Sequence, residues 1–177
     1  MKVKHYAGIL VGDYQFADSL RKEVLSLLKT AANVGHTNVK ASLHTQWDWE
    51  PNNVHIRNVK GFIREEIERE YKPGKIVGGA REWLKCGNFW ANVYEKGDYA
   101  DSHNHSPYHF SFAYFLKSKW YHPPLVFTES GKRIRPKEGR FVAFPGYLNH
   151  YVPKHRYNDT RITLSGNLVI LPPLDRK

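Results

Sequence analysis

Three histidines and one arginine carry the strongest chemical signal in this chain. His103 and His105 are two residues apart on an extended, polar stretch, Asp101-Ser102-His103-Asn104-His105. On a strand, side chains at i and i+2 share a face and sit about 6.5–7 Å apart. Two imidazoles at that separation can converge on one ion with metal–nitrogen bonds of about 2.1 Å. Asp101 and His103 have the same spacing, so Asp101 could add a carboxylate on that face. A further ligand must come from elsewhere in the fold. His150 is the best candidate, because it follows the hydrophobic run ending in Phe144 and the Pro145-Gly146 turn. Arg161 begins another hydrophobic run downstream, where a cationic side chain could hold an anionic co-substrate near such a metal. The other seven histidines, His5, His36, His44, His55, His109, His122 and His155, are expected to be ordinary surface or core residues.

The elements that must position these groups can be read from periodicity. Leu20, Val24, Leu27, Leu28 and Ala31 recur at helical spacing and predict an amphipathic helix over about 17–32. Val59, Phe62, Ile63 and Ile67 predict a second over about 54–71, closed by the breaker pair Pro73-Gly74. Beyond residue 85 the texture becomes β-rich, with runs at 89–94, 108–116, 125–128, 140–144 and 161–171. Between them lie turn signals such as Lys96-Gly97-Asp98, Ser130-Gly131 and Pro145-Gly146. Many short strands at this spacing indicate an antiparallel sandwich or barrel. The expectation is one α+β domain over 1–177, with a helical support region at 1–82 packed on one side of a strand core at 83–171.

Bulk properties narrow the partners. The 177 residues suffice for a substantial core, and 41% hydrophobic with 25% charged residues is a soluble, globular composition. The formal charge of +10 favours an anionic partner without choosing one. Lys117, Lys119, Lys132, Arg133, Arg135, Lys137 and Arg140 concentrate part of it, yet no zinc-finger spacing, aromatic RNP pattern or GXXG clamp accompanies them. Nucleic acid is therefore the less favoured partner. Cys86 is the single cysteine, which excludes an intrachain disulfide and a four-cysteine metal site and favours a reducing, cytoplasmic setting. The apolar run Tyr6 to Val11 is too short for a signal-peptide core or a membrane span.

The sequence also carries a resemblance. Asn92-Val93-Tyr94-Glu95-Lys96-Gly97-Asp98-Tyr99 followed by the His103-Asn104-His105 pair resembles the entry to the iron site of the Fe(II)/2-oxoglutarate-dependent oxygenases. Ser111-Phe112-Ala113-Tyr114-Phe115-Leu116, Pro124-Leu125-Val126-Phe127, the segment Glu138 to Pro153, and Arg161-Ile162-Thr163-Leu164-Ser165-Gly166-Asn167 resemble later strands of that superfamily, in the same order. The similarity spans about residues 83–170. It is nearest to the small, prolyl-hydroxylase-like members found in bacteriophage genomes, which implies host cytoplasm for a phage-encoded chain. It implies a double-stranded β-helix, or jelly roll, and binding of Fe(II), 2-oxoglutarate and O₂. It also implies hydroxylation of an unactivated C–H bond, on a prolyl or other peptide or amino-acid substrate. Residue by residue, His103 and His150 match the two histidine ligands. His105 falls where most members have a carboxylate, and Asp101 is the fallback for that role. Arg161 matches the residue that grips the distal carboxylate of 2-oxoglutarate, and Tyr94 a tyrosine that shares it. Asn92 and Ser165 complete the co-substrate candidates. Residues 117–123, 129–138 and the Trp47 region are expected to cover the substrate opening. Two readings compete. One is a cupin-like three-histidine metalloprotein that does not use 2-oxoglutarate. The other is a non-catalytic basic module for nucleic acid or an acidic protein.

Overall fold

The computed structural model describes residues 4–6, 8–14, 17–71 and 83–171. The Pro73-Gly74 breaker lies outside them. Among the described residues, twelve strands and two helices follow in chain order. They are β1 (Lys4–Tyr6), β2 (Ile9–Asp13), α1 (Ala17–Leu28), β3 (Val39–Lys40), β4 (Leu43–His44), α2 (Val54–Tyr71), β5 (Trp83–Tyr94) and β6 (Tyr99–His103). After these come β7 (Phe110–Lys117), β8 (Leu125–Phe127), β9 (Arg133–Ile134), β10 (Arg140–Pro145), β11 (His150–Val152) and β12 (Arg161–Leu171). The strands form two sheets, with orders β1-β2-β10-β7-β12-β5-β4 and β3-β6-β11-β8-β9. All the strand pairings are antiparallel. This is the expected jelly roll, with its helices on one face.

The front third differs from its expected helical character. β1 and β2 extend the larger sheet through β10, β4 caps its other edge, and β3 extends the smaller sheet through β6. These strands escape periodicity because most are two to three residues long, too short to show alternation. α1 also ends earlier than predicted. Lys29, Thr30 and Ala31 donate to carbonyls three residues back, at 3.3–3.4 Å, so the last turn tightens and stops. α2 matches its prediction. Its N-cap is Asn53, whose Oδ1 accepts from the backbone N–H of His55 and Ile56 at 2.9 and 3.1 Å.

Two cores flank the larger sheet. On its outer face, Leu20, Val24, Ile56, Val59, Ile63 and Ile67 of the helices pack on Phe89, Ala91, Phe112, Tyr114, Phe141 and Leu164. On its inner face, Tyr94, Phe115, Val142 and Phe144 meet Ala100, Leu125, Phe127 and Val152 of the smaller sheet. Period-two alternation creates this division: Phe141 and Ala143 face the helices, while Val142 and Phe144 face the barrel interior. None of the described helices is long and apolar enough to cross a membrane.

Ile63 is fully buried between α2 and the sheet. Ile63→Ala is expected to cost about 2–5 kcal/mol, read as a lower denaturant midpoint. Because the helix side is separate from the barrel interior, divalent-metal binding by the folded variant should be unchanged.

Candidate metal centre

The smaller sheet brings two of the histidines together. β11 lies between β6 and β8, and its register sets His150 directly opposite His103. β6 ends at His103 because the next residues turn: Asn104 Oδ1 accepts from Ser106 N–H at 3.1 Å, and Tyr108 N–H donates to the His105 carbonyl at 2.9 Å. His105 is therefore not on the strand face with His103, as the spacing suggested. It is anchored instead by its own N–H, which donates to the Gly146 carbonyl at 2.7 Å. The three imidazoles converge nonetheless. Ring centroids are 4.6 Å apart for His103–His150 and 5.1 Å for each of the other two pairs. One ring nitrogen from each lies within 4.8 Å of the others, a set that could hold a metal ion.

Tautomers favour the same chemistry. His103 Nδ1 is 2.7 Å from the Asp101 carbonyl, and His150 Nδ1 is 3.0 Å from the Leu148 carbonyl. A carbonyl only accepts, so each Nδ1 carries the proton and each Nε2 keeps a free lone pair for a metal. Burial, reinforced by the neighbouring imidazoles, lowers the pKa of His105 to about 2 and that of His150 to about 4. Both rings are thus neutral near pH 7. Asp101 contributes its carbonyl rather than its carboxylate. Its side chain is exposed and is not part of the convergent set.

The second end of the site comes from the longest ladder, β5 against β12. Arg161 pairs with Tyr94, Thr163 with Asn92 and Ser165 with Trp90. All six side chains line one pocket together with His103, His105 and His150. Arg161 is 1% exposed, yet its Nε and Nη1 have no hydrogen-bond partner. Its guanidinium lies 4.9 Å from the Tyr94 ring centroid and 5.4 Å from that of Phe115. Burial lowers its pKa, and the Tyr94 hydroxyl partly offsets that effect. Burial also raises the Tyr94 pKa, which keeps the phenol a neutral donor. A buried guanidinium beside a single phenol is an unfinished ion pair, and a bidentate carboxylate would complete it. Asn92 Oδ1 is likewise buried and unpartnered. The residues therefore fit a ligand with a chelating end for the metal and a carboxylate at its far end.

The sequence reading missed Trp90 and Thr163, although both share strand parity with residues it named. Trp47 lines the pocket, as expected of a covering residue, with its ring centroid 4.4 Å from that of Trp90. The basic stretches do not cover this pocket. Tyr121, His122, Arg133 and Arg135 line a different cavity. His122 and His155 are also not ordinary. With Asp159 they form a second group whose ligand atoms lie within 4.8 Å. Here His122 Nδ1 accepts from Lys119 N–H, which leaves its Nε2–H to donate to Asp159 Oδ1 at 3.0 Å. His155 Nε2–H donates to the Asp159 carbonyl at 2.6 Å. Tyr121 and Lys119 also reach the Asp159 carboxylate, which holds its pKa well below the carboxylate range. This group is a hydrogen-bonded clamp between the Lys119–His122 turn and the chain entering β12.

No family model matches the chain, and no curated protein matches it. Solved structures do. A viral collagen prolyl hydroxylase from Paramecium bursaria Chlorella virus-1, in complex with 2-oxoglutarate, is 12% identical with a TM-score of 0.70. The match covers 91% of this chain and 95% of that one. The chain has the oxygenase jelly-roll fold. A Trichoplax adhaerens prolyl hydroxylase bound to a hypoxia-inducible-factor peptide matches at 14% identity and TM-score 0.68, over 92% of this chain and 83% of that one. HygX from Streptomyces hygroscopicus, with nickel and 2-oxoglutarate bound, matches at 9% and 0.64, over 95% and 84%.

Two outcomes are expected. A Cβ built on Gly146 would sit 2.1 Å from the Tyr108 carbonyl oxygen, so Gly146→Ala must shift the backbone that anchors His105. It should cost about 1–3 kcal/mol and weaken divalent-metal binding, read by denaturant unfolding and metal titration. The metal-free protein should also lose stability on acidification. His105 and His150 bind protons in the unfolded chain near the ordinary histidine value of 6.5 but resist them when folded. Their contribution is complete above pH 6.5 and is lost as pH falls through about 4 and below, with the buried His44 and the His122 site acting in the same direction. A melting temperature that stays flat from pH 7 to pH 4 would contradict this.

Proposed function

We propose that this chain is a 2-oxoglutarate-dependent, non-haem Fe(II) oxygenase that hydroxylates a peptide or amino-acid substrate. The observation that carries the reading is Arg161: a fully buried, unfinished ion pair in the same pocket as three convergent imidazoles. Likeness to solved oxygenases, among them proteins whose structures hold 2-oxoglutarate, nickel or a peptide, supports it.

In this proposal His103, His105 and His150 hold iron through their ring nitrogens. Iron held there would supply, with 2-oxoglutarate and O₂ as co-substrates, oxidative decarboxylation to succinate and CO₂ coupled to hydroxylation of an unactivated C–H bond. The protein residues supply position and environment. Arg161 forms the two-pronged contact to the distal carboxylate, and the Tyr94 hydroxyl adds a third donor. Asn92, Thr163 and Ser165 offer polar contacts along the co-substrate. Leu125 and Phe144 form apolar walls that limit water around the reacting centre. Trp47 and Trp90 give flat aromatic surfaces to the substrate side, which suits a prolyl ring or other apolar group of a peptide. A third imidazole in place of a carboxylate leaves the bound metal more positive. That feature favours a second reading, a three-histidine metalloprotein without 2-oxoglutarate, but it leaves the Arg161 charge without a purpose. The single, half-buried cysteine fits a cytoplasmic setting.

The test is turnover of 2-oxoglutarate by the Fe(II)-loaded protein without prime substrate. Slow succinate formation is expected. It should be lost in His103→Ala and His150→Ala. Arg161→Leu should raise the 2-oxoglutarate requirement by about 30-fold or more, as for truncation of one partner in a buried charged contact. If the wild type neither binds 2-oxoglutarate nor forms succinate while still binding metal, the second reading replaces the first.

A further inference from the structure

The basic stretch that does not cover the candidate active site builds a surface of its own. Arg133 and Arg135, on and just after β9, and Lys154 and Arg156, beyond β11, line one cavity of about 330 Å³. No acidic side chain lines it. Neighbouring cations are neutralised locally: Lys119 pairs with Asp159, and Lys137 and Arg140 pair with Asp13. The four cavity cations are exposed and take part in no ion pair among the described residues. Four like charges around one concavity repel one another, and an anionic partner would relieve that repulsion.

Aromatic rings interleave with these charges. Tyr121 and Tyr157 line the cavity, with ring centroids 4.5 Å apart. Trp120 continues the array 5.7 Å from Tyr121 and is 75% exposed, while Tyr157 is 42% exposed. An indole left this open on the surface is a contact awaiting a flat partner. The rings are also held in place. Tyr121 donates to Asp159 at 2.7 Å, and the His122–Asp159–His155 clamp ties the Trp120–Tyr121 turn to the Arg156–Tyr157 loop. An acidic peptide would use the cations and leave the rings idle. Phosphates linked to flat bases would use both.

We propose that this surface binds single-stranded nucleic acid, with the four cations on the phosphates and Trp120 and Tyr157 stacking on bases. The site shares no lining residue with the candidate metal pocket and does not depend on the oxygenase reading. It also gives a use to part of the net charge of +10.

The experiment is fluorescence anisotropy of the full chain with a labelled oligothymidylate of about twelve nucleotides across a salt series. Binding should weaken steeply with salt. Arg133→Gln, Arg135→Gln and Arg156→Gln combined should weaken it about tenfold or more and reduce the log–log salt slope by about 2, at about 0.7 per charge. Trp120→Ala should weaken it about fivefold or more with the slope unchanged, as loss of a stacked base requires. All four side chains are exposed, so an unchanged melting temperature identifies the effects as local. Three results would overturn the proposal. One is absence of binding at low salt, and another is binding indifferent to the triple variant. The third is a labelled polyglutamate of equal charge binding as tightly, with Trp120→Ala affecting neither probe, which would mark an acidic-peptide dock.

Discussion

The pairing of β5 with β12 is the constraint on which both the core and the candidate site depend. Eleven residue pairs run along this ladder, from Arg161 opposite Tyr94 to Leu171 opposite Trp83. Because successive side chains leave opposite faces of a sheet, the ladder acts as a partition. Phe89, Ala91, Leu164 and Leu168 go outward to α1 and α2, where apolar burial stabilises the layer. Trp90, Asn92, Tyr94, Arg161, Thr163 and Ser165 go inward. A slip of one residue would push the guanidinium into the helix core and expose the leucines to the polar cavity. The stability of the outer layer thus holds in place an inner face that is costly by itself.

That inner face is polar at a depth where polarity needs a partner. Arg161 has one phenol beside it, and two of its nitrogens face no acceptor. His105 and His150 at the other end are neutral because burial opposes their protonation. A site with an unsatisfied cation at one end and three lone-pair donors at the other is arranged for an anionic chelate and a metal. The exposed basic cavity around Arg133 and Arg156 follows a different logic. Its charges are solvated, its rings lie open, and the Asp159 clamp organises it without lining the candidate metal pocket.

How much could be read from the chain follows from the length scale of each feature. α2 was legible because Val59, Phe62, Ile63 and Ile67 recur at helical spacing. β12 and the second half of β5 were legible as β-rich runs, and the parity of Arg161, Tyr94, Asn92 and Ser165 put them on one face. β3, β4 and β9, two residues each, exist only because longer neighbours offer them a ladder. The convergence of His105 with the other two histidines was expected for a different local reason. A turn through Asn104 and an anchor on Gly146, not strand parity, carry its ring to the other two.

The amino-acid sequence by itself determined the chemical inventory: three histidines, one arginine and one tyrosine in strand-forming contexts, and the alternation that separates core from cavity. Those are local properties, set by side-chain type and a period of two. Only the tertiary structure decided that His103 faces His150, that Asp101 offers a carbonyl while its carboxylate stays in water, and that Arg161 has no acidic partner among the described residues. It also decided that Arg133 and Arg156 share a cavity with Tyr157. Each of these is a contact between segments distant in the chain. Their distances depend on how the two sheets register and close, which no local pattern encodes.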